Sequence, residues 1–323
     1  MVPNNITGLG SFSGLGSFTA LSPDKNAYYG LFSTTVYKFS MGADTSSTLS
    51  ATNPNGASAV AAFSNNGSAG YTQGGNPTIY DTGVKAITKY LYSNDTTSTL
   101  TNASWISSYG GAGITNSGTA GYLMGGIRTD AGSTGSISKM PYSNETPANI
   151  GATISFGVAP RGNAGLNRGG VAGYSVNGDD GGHQQFSSKL TYSNDTTSGS
   201  FTPTQATINS FCVSDGATTG YIALGSNNGT VRTTLNKVVF STETVSTPAA
   251  VLSQARAGGF GISLNGVAGY FFMGRSTSVP TSSNVIDKLN FSTETMSVVS
   301  PSASASGPAS INAESRAYGV GDN

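Results

Sequence analysis

KYLYSNDT, residues 89–96, returns in this sequence as KMPYSNET at 139–146, KLTYSNDT at 189–196, KVVFSTET at 237–244 and KLNFSTET at 288–295. A degenerate first copy, VYKFSMGADT at 36–45, opens the series. Aligned on its serine, it carries two extra residues and shows Val36 where the others show lysine. The serines stand at 40, 93, 143, 193, 241 and 292, at intervals of 53, 50, 50, 48 and 51. A second string precedes each copy: GYTQGG at 70–75, GYLMGG at 121–126, GYSVNG at 173–178, GYIALG at 220–225 and GYFFMG at 269–274, with AYYGLF at 27–32 as a weaker first instance. Two independent strings that keep one period establish an internal repeat, and a period near fifty means units that bury their apolar faces only against one another.

Each unit reads as strands. The first and third positions after the lysine are apolar in every copy: Tyr90 and Tyr92, Met140 and Tyr142, Leu190 and Tyr192, Val238 and Phe240, Leu289 and Phe291. Alternation with period two marks a strand with one strongly buried face. The Asn-Asp, Asn-Glu or Thr-Glu pair that follows supplies turn-prone side chains. The Gly-Tyr string is a second strand, whose flanking glycines suit close backbone approach. A third begins ten residues upstream of each Gly-Tyr tyrosine, as at Phe211 and Phe260, and the stretch after the acid–threonine pair, as at Met296 to Val299, is a weakly patterned fourth. No segment shows the apolar spacing of an amphipathic helix.

Four antiparallel strands per repeat fit a propeller blade, and a closed ring of blades covers faces that a single blade leaves wet. The expected fold is therefore all-β: a six-bladed β-propeller of four-stranded antiparallel blades, with seven blades left open. An open β-solenoid is the competitor, disfavoured because its rungs are much shorter than fifty residues. Residues 1–24 are expected to be an N-terminal arm and residues 25–323 the propeller. A C-terminal strand near 315–321 would close the ring by pairing an otherwise open edge.

Composition limits the function. Charged residues make up 9% of the 323, against roughly 25% in ordinary soluble proteins, and fifteen basic residues balance fifteen acidic ones. That argues against a nucleic-acid footprint, a polybasic membrane surface and a steered acidic substrate. The single cysteine, Cys212, rules out an intrachain disulfide, and the single histidine, His183, rules out a histidine metal cluster. Cys212 falls on an inner strand and reads as a small buried apolar group, while Trp105 reads as core or interface. The N-terminal MVPNNITGLG lacks the basic and apolar regions of a secretory signal. The mild apolar run at Val267–Met273 is far short of a membrane span.

Lysine and acid stand six residues apart in five copies: Lys89 and Asp95, Lys139 and Glu145, Lys189 and Asp195, Lys237 and Glu243, Lys288 and Glu294. Because they repeat with the architecture, they read as structural strand-end ion pairs, not as a ring of proton-transfer sites. Residues outside the repeat register are the candidates for binding. The loops between the second and third strands differ in every blade and gather Tyr80, Arg128, Asp130, Asp179, Asp180, His183, Arg232 and Arg275. Unlike polar loops on a rigid scaffold are a common recognition arrangement. No catalytic residue, metal site or cofactor is expected. The carboxylates at Asp179 and Asp180 lack EF-hand spacing, His183 has no nucleophile motif beside it, and the glycine strings lack the Lys-Ser/Thr of a phosphate loop.

The pattern GY-x-x-GG, a loop, then K-x-x-YSNDT at a period near fifty resembles the kelch-like repeats of structural proteins from tailed bacteriophages, notably phages of marine cyanobacteria. The likeness covers nearly all of the chain after Ala27. Its glycine pair departs to Asn177-Gly178, Leu224-Gly225 and Met273-Gly274 in the later copies. The resemblance implies a non-enzymatic virion protein of the tail, fibre, baseplate or head decoration, made in the host cytoplasm. Its expected partners are other virion proteins, a host-surface glycan or receptor, and further copies of itself, without nucleic acid or membrane insertion. The alternative is a glycan-binding or glycan-degrading propeller acting on host envelope polysaccharide.

Overall fold

In the computed structural model, the described residues are 26–30, 35–53, 61–65, 67–73, 87–100, 108–128, 132–133, 135–155, 162–179, 181–264, 266–276, 283–299 and 318–321. Their regular structure is all strand. The chain opens with β1 (Asn26–Gly30), β2 (Thr35–Ser40) and β3 (Thr45–Thr52). Five blades then follow, each an antiparallel four-stranded sheet built from one uninterrupted stretch of chain. Blade I holds β4 (Ala61–Asn65), β5 (Ala69–Gln73), β6 (Ile87–Leu91) and β7 (Thr96–Leu100). Blade II holds β9 (Ala112–Asn116), β10 (Ala120–Met124), β13 (Ser136–Pro141) and β14 (Ala148–Thr153), with a small ribbon of β8 (Ser108–Tyr109), β11 (Ile127–Arg128) and β12 (Gly132–Ser133). Blade III is β15 (Ala164–Arg168), β16 (Ala172–Asp179), β17 (His183–Thr191) and β18 (Thr196–Gly199).

Blade IV comprises β19 (Phe211–Ser214), β20 (Thr219–Ala223), β23 (Leu235–Val239) and β24 (Thr244–Ser246), with a hairpin of β21 (Ser226–Asn227) and β22 (Thr230–Val231). Blade V runs β25 (Phe260–Leu264), β26 (Ala268–Phe272), β27 (Ile286–Asn290) and β28 (Thr295–Val299). The last strand, β29 (Tyr318–Gly321), pairs antiparallel with β1, so a further four-stranded sheet, β29-β1-β2-β3, is composite. It stands between blades V and I. The innermost strands touch in the cyclic order β4, β9, β15, β19, β25, β29 and back to β4. The sheets therefore form a ring, a β-propeller, not a line of rungs. No seventh four-stranded sheet occurs among the described residues.

Burial follows strand position. The second strands β5, β10 and β26 are buried along their whole length, because neighbouring blades cover both faces. The outermost strands alternate only between exposed and half-buried, as in β7 and β18. The core is divided into clusters that each span two neighbouring sheets: Tyr71 and Phe63 of blade I pack with Met140 and Tyr142 of blade II, and Phe272 of blade V packs with Phe39 and Met41 of the composite sheet. At the axis the inner strands approach so closely that a side chain cannot fit at two positions in particular. A Cβ on Gly165 would lie 2.1 Å from the Gly113 carbonyl oxygen, and one on Gly261 would lie 2.0 Å from that of Cys212. Cys212 itself is buried on inner strand β19. Trp105 and the expected arm, residues 1–24, lie outside the described residues.

The lysine–acid pairs differ from expectation. Each lysine reaches past its own repeat to the acid of the next sheet: Lys89 Nζ lies 2.5 Å from Glu145, Lys139 2.7 Å from Asp195 and Lys189 2.7 Å from Glu243, and Lys237 bonds Glu294. Strand alternation is the cause. Lys89 and Tyr90 are adjacent, so they face opposite sides of blade I; Tyr90 packs backwards on Val36 while Lys89 points forwards to blade II. Asp95, in the turn after the strand, is held from behind by Lys38 of β2 at 2.8 Å.

That contact also corrects the register of the first copy. Lys38 pairs with Tyr28 as Lys89 pairs with Tyr71 and Lys139 with Tyr122. The first copy thus keeps its lysine and has no insertion before Asp44, which sits six residues after Lys38 as in every other repeat. Val36 occupies the buried position of Ile87.

Candidate recognition face

In four repeats the polar strand residue just before the lysine fixes the connection arriving from the preceding sheet. Thr88 Oγ1 donates to Asn53 Oδ1 at 2.9 Å. Ser188 Oγ accepts from Ser155 N at 3.0 Å, Asn236 Oδ1 from Thr204 N at 2.8 Å and Asp287 Oδ2 from Ser253 N at 3.2 Å. These connections share one face of the ring with the loops between second and third strands. A belt of backbone bonds also crosses that face near the axis: Gly162 N donates to Gly110 O, Asn209 N to Gly162 O and Gly258 N to Asn209 O, each at 2.8 Å. All four residues have positive φ, between 56° and 73°. The loop-bearing face is therefore built on a stitched, rigid floor.

Of the sequence-predicted residues, Tyr80, Asp130 and Asp180 lie outside the described residues, and Arg128 is described only as backbone of β11. The structure brings Asp179 and His183 together as directly opposed partners at the tip of the β16–β17 hairpin. His183 Nδ1 accepts a hydrogen bond of 3.2 Å from Asn228 N. Asn228 belongs to the β21–β22 hairpin of blade IV, where Asn228 (φ 47°) and Gly229 (φ 79°) form the two-residue turn. This contact ties the projecting loops of blades III and IV and leaves the proton of a neutral His183 on Nε2.

Arg232 and Arg275 are brought near a common segment by backbone bonds. Arg256 N donates to Arg232 O at 3.2 Å, and Ala257 exchanges bonds of 2.9 and 2.7 Å with Arg275. Arg275 is exposed and Arg232 half-buried.

Sequence reasoning missed the residue between them. Arg256 is fully buried, its Nη2 lying 2.7 Å from Asp287 Oδ2, also fully buried, and donating to Phe271 O at 3.0 Å. Arg256 Nε and Nη1 and Asp287 Oδ1 find no hydrogen-bond partner among the described residues. Burial pulls the Arg256 pKa down, against the opposing pull of Asp287. A signal was available: Asp287 is charged where the other repeats carry Thr88, Ser138, Ser188 and Asn236.

A narrow channel of about 120 Å³ runs along the axis, lined by Ala62–Ser64, Gly113, Thr115, Gly165–Asn167, Cys212–Ser214 and Gly261–Ser263. Among the described residues no charged side chain lines it. Its polar groups serve inter-blade bonds: Thr115 Oγ1 donates to Ser64 O at 2.7 Å, Asn167 Oδ1 accepts from Thr115 N at 2.9 Å, and Ser263 Oγ accepts from Ser214 N at 2.9 Å. Among the described residues no group of three or more His, Cys, Asp or Glu is placed to hold a metal ion. What the loop face offers chemically is hydrogen bonding: an imidazole, a carboxylate, amides and arginines on a fixed base.

The ring of four-stranded antiparallel sheets places the chain among the β-propellers. Among solved structures it is similar to the protein YjhT, with a TM-score of 0.65 over 82% of this chain and 91% of that one, at 14% sequence identity. At that identity the likeness concerns the fold alone. No family model and no curated protein matches the chain in sequence.

Proposed function

We propose that this chain is a non-enzymatic structural protein of a tailed-phage virion. In this reading it is a kelch-like propeller over residues 25–323, closed by its C-terminal strand, with the composite sheet counted as its sixth blade. Its loop face attaches to the host surface or to other virion subunits. One observation carries the proposal: six like inter-sheet clamps hold a rigid ring, while the loops that ring carries differ from blade to blade, as recognition loops do. The sequence likeness to phage repeat proteins supplies the setting, and the low surface charge suits contact with neutral polar partners such as glycans.

Labelling purified particles with an antibody against this chain tests the setting: decoration of tail, fibre or head supports it, and absence from intact particles overturns it. For recognition, the isolated protein should bind host cells, and His183→Ala with Arg275→Ala should weaken that binding without altering the fold. Cleavage of host envelope polysaccharide by the purified protein would instead favour the enzyme alternative.

A further inference from the structure

The ring is held shut at its seam by contacts that do not involve β29. Lys288 of blade V bonds Asp44 of the composite sheet at 2.8 Å. Tyr270 OH donates to Met41 O at 2.7 Å and to Asp44 Oδ1 at 3.0 Å. The Phe39 ring lies 5.5 Å from that of Tyr270 and 5.2 Å from that of Phe272. With these in place, β29 is a second latch. It contributes four residues, bonded on one edge only, to β1.

Its tether is also the longest of its kind. Residues 300–317 separate β28 from β29, eighteen residues, whereas the other connections from an outermost strand to the next inner strand run from eight (53–60) to thirteen (247–259). A strand that ends a long connection and pairs on one edge, at a seam that other contacts also hold, is the element two identical chains exchange most readily.

We infer that the inner slot of the composite sheet is a strand-accepting site, and that its occupant in trans is β29 of a second copy of this chain. The slot is selective by geometry. Gly319 pairs with Tyr29 as Gly113 pairs with Leu123 and Gly261 with Phe271, and a Cβ on Gly113 or Gly261 would come within 2.1 Å of the neighbouring inner strand's backbone. The equivalent inner-strand positions of the five blades hold Ala62, Gly113, Gly165, Cys212 and Gly261, so an incoming strand must carry a small residue at its second position, which β29 of another copy does and an arbitrary extended peptide does not. A chain of zero net charge adds no long-range repulsion between copies.

Gly30 and Tyr318 are opposed in the ladder, at register positions where the five blades carry residues as large as Phe272 and Phe260. A full-length Gly30→Cys chain is mixed with a full-length Tyr318→Cys chain, both with Cys212→Ser, at high concentration, and then oxidised. The inference expects a disulfide-linked species of doubled mass on a non-reducing gel, abolished when the Tyr318→Cys chain also carries Gly319→Val. A single chain bearing both cysteines reports whether the pair can bond at all. If that chain locks internally while the mixture gives no dimer, or if Gly319→Val leaves the dimer intact, the inference is overturned.

Discussion

Lys288 Nζ and Asp44 Oδ2 are 2.8 Å apart across 244 residues of chain. The same contact recurs around the ring, with lysine of one sheet always given to the acid of the next. The tyrosines of four of the five Gly-Tyr strings add to it: Tyr71, Tyr122, Tyr221 and Tyr270 donate to the acids that bond Lys89, Lys139, Lys237 and Lys288. Each acid also sits at positive φ, from 51° at Glu145 to 57° at Asp95, in the turn from which its carboxylate bonds the lysine of the preceding sheet.

Coupling should follow the ring and not the repeat. A double-mutant cycle on Lys139 and Asp195 is expected to give about 0.5–1 kcal/mol, the range for half-exposed pairs, while a cycle on Lys139 and Glu145 gives almost nothing. Urea denaturation of the four variants in each cycle measures both. Equal couplings would show that the lysine serves its own repeat after all.

Glycines at the axis should be irreplaceable, and glycines at the loop tips should not be. Gly165→Ala and Gly261→Ala force a Cβ within 2.1 Å of backbone oxygen, so each is expected to cost about 3 kcal/mol or more. Gly182 has open space around its Cβ position and no positive φ, and Gly182→Ala should be neutral or stabilise by a few tenths up to about 1 kcal/mol. Thermal melts separate the two groups.

The buried Arg256–Asp287 pair should be costly to break and cheap to replace. Asp287→Ala strands a buried guanidinium, with an expected loss of about 3–5 kcal/mol, whereas Arg256→Met combined with Asp287→Leu should retain most of the stability. If both variants unfold at the same denaturant concentration, the pair is not behaving as buried charge.

Stability should fall at both ends of the pH scale. The Lys237 hydrogen bond holds the Glu294 carboxyl below its usual range despite some burial. Burial would raise that of Glu243, but bonds from Lys189 and Ser200 outweigh it and lower it. A depressed folded value gives stability that is complete above the unfolded pKa of about 4.3 and is lost as pH drops below it. Burial pushes Tyr174 up to about 12 and raises Tyr71, Tyr122, Tyr142, Tyr192, Tyr221 and Tyr270 as well. A raised folded value stabilises below the unfolded pKa of about 10 and is lost as pH climbs above it. Tyrosinate absorbance should therefore appear for these side chains only together with loss of the fold. Early ionisation of most of them, in a chain still folded, would contradict their burial.

Strand identity was legible because one face of each strand packs on a neighbour: Tyr90 and Tyr92 alternate with Lys89 and Leu91, and that period needs no coordinates. Inner-strand burial of Cys212 was legible for the same reason. The Asp179–His183 cross-strand pair was half legible, both residues being singled out but not their opposition, which depends on hairpin register. Arg256 was not legible as a site residue, since its partner Asp287 lies 31 positions away on another strand.

From its amino acids alone, the chain announced units of about fifty residues, their strands and the need for those units to cover one another, because apolar periodicity is a local property written in consecutive positions. Which lysine meets which acid, where glycine is obligatory, and that Lys38 belongs with the other repeat lysines were settled only in three dimensions. Neighbouring residues on a strand face opposite sides, so partners are assigned by the sheets on either side, and the ring alone determines which sheets those are.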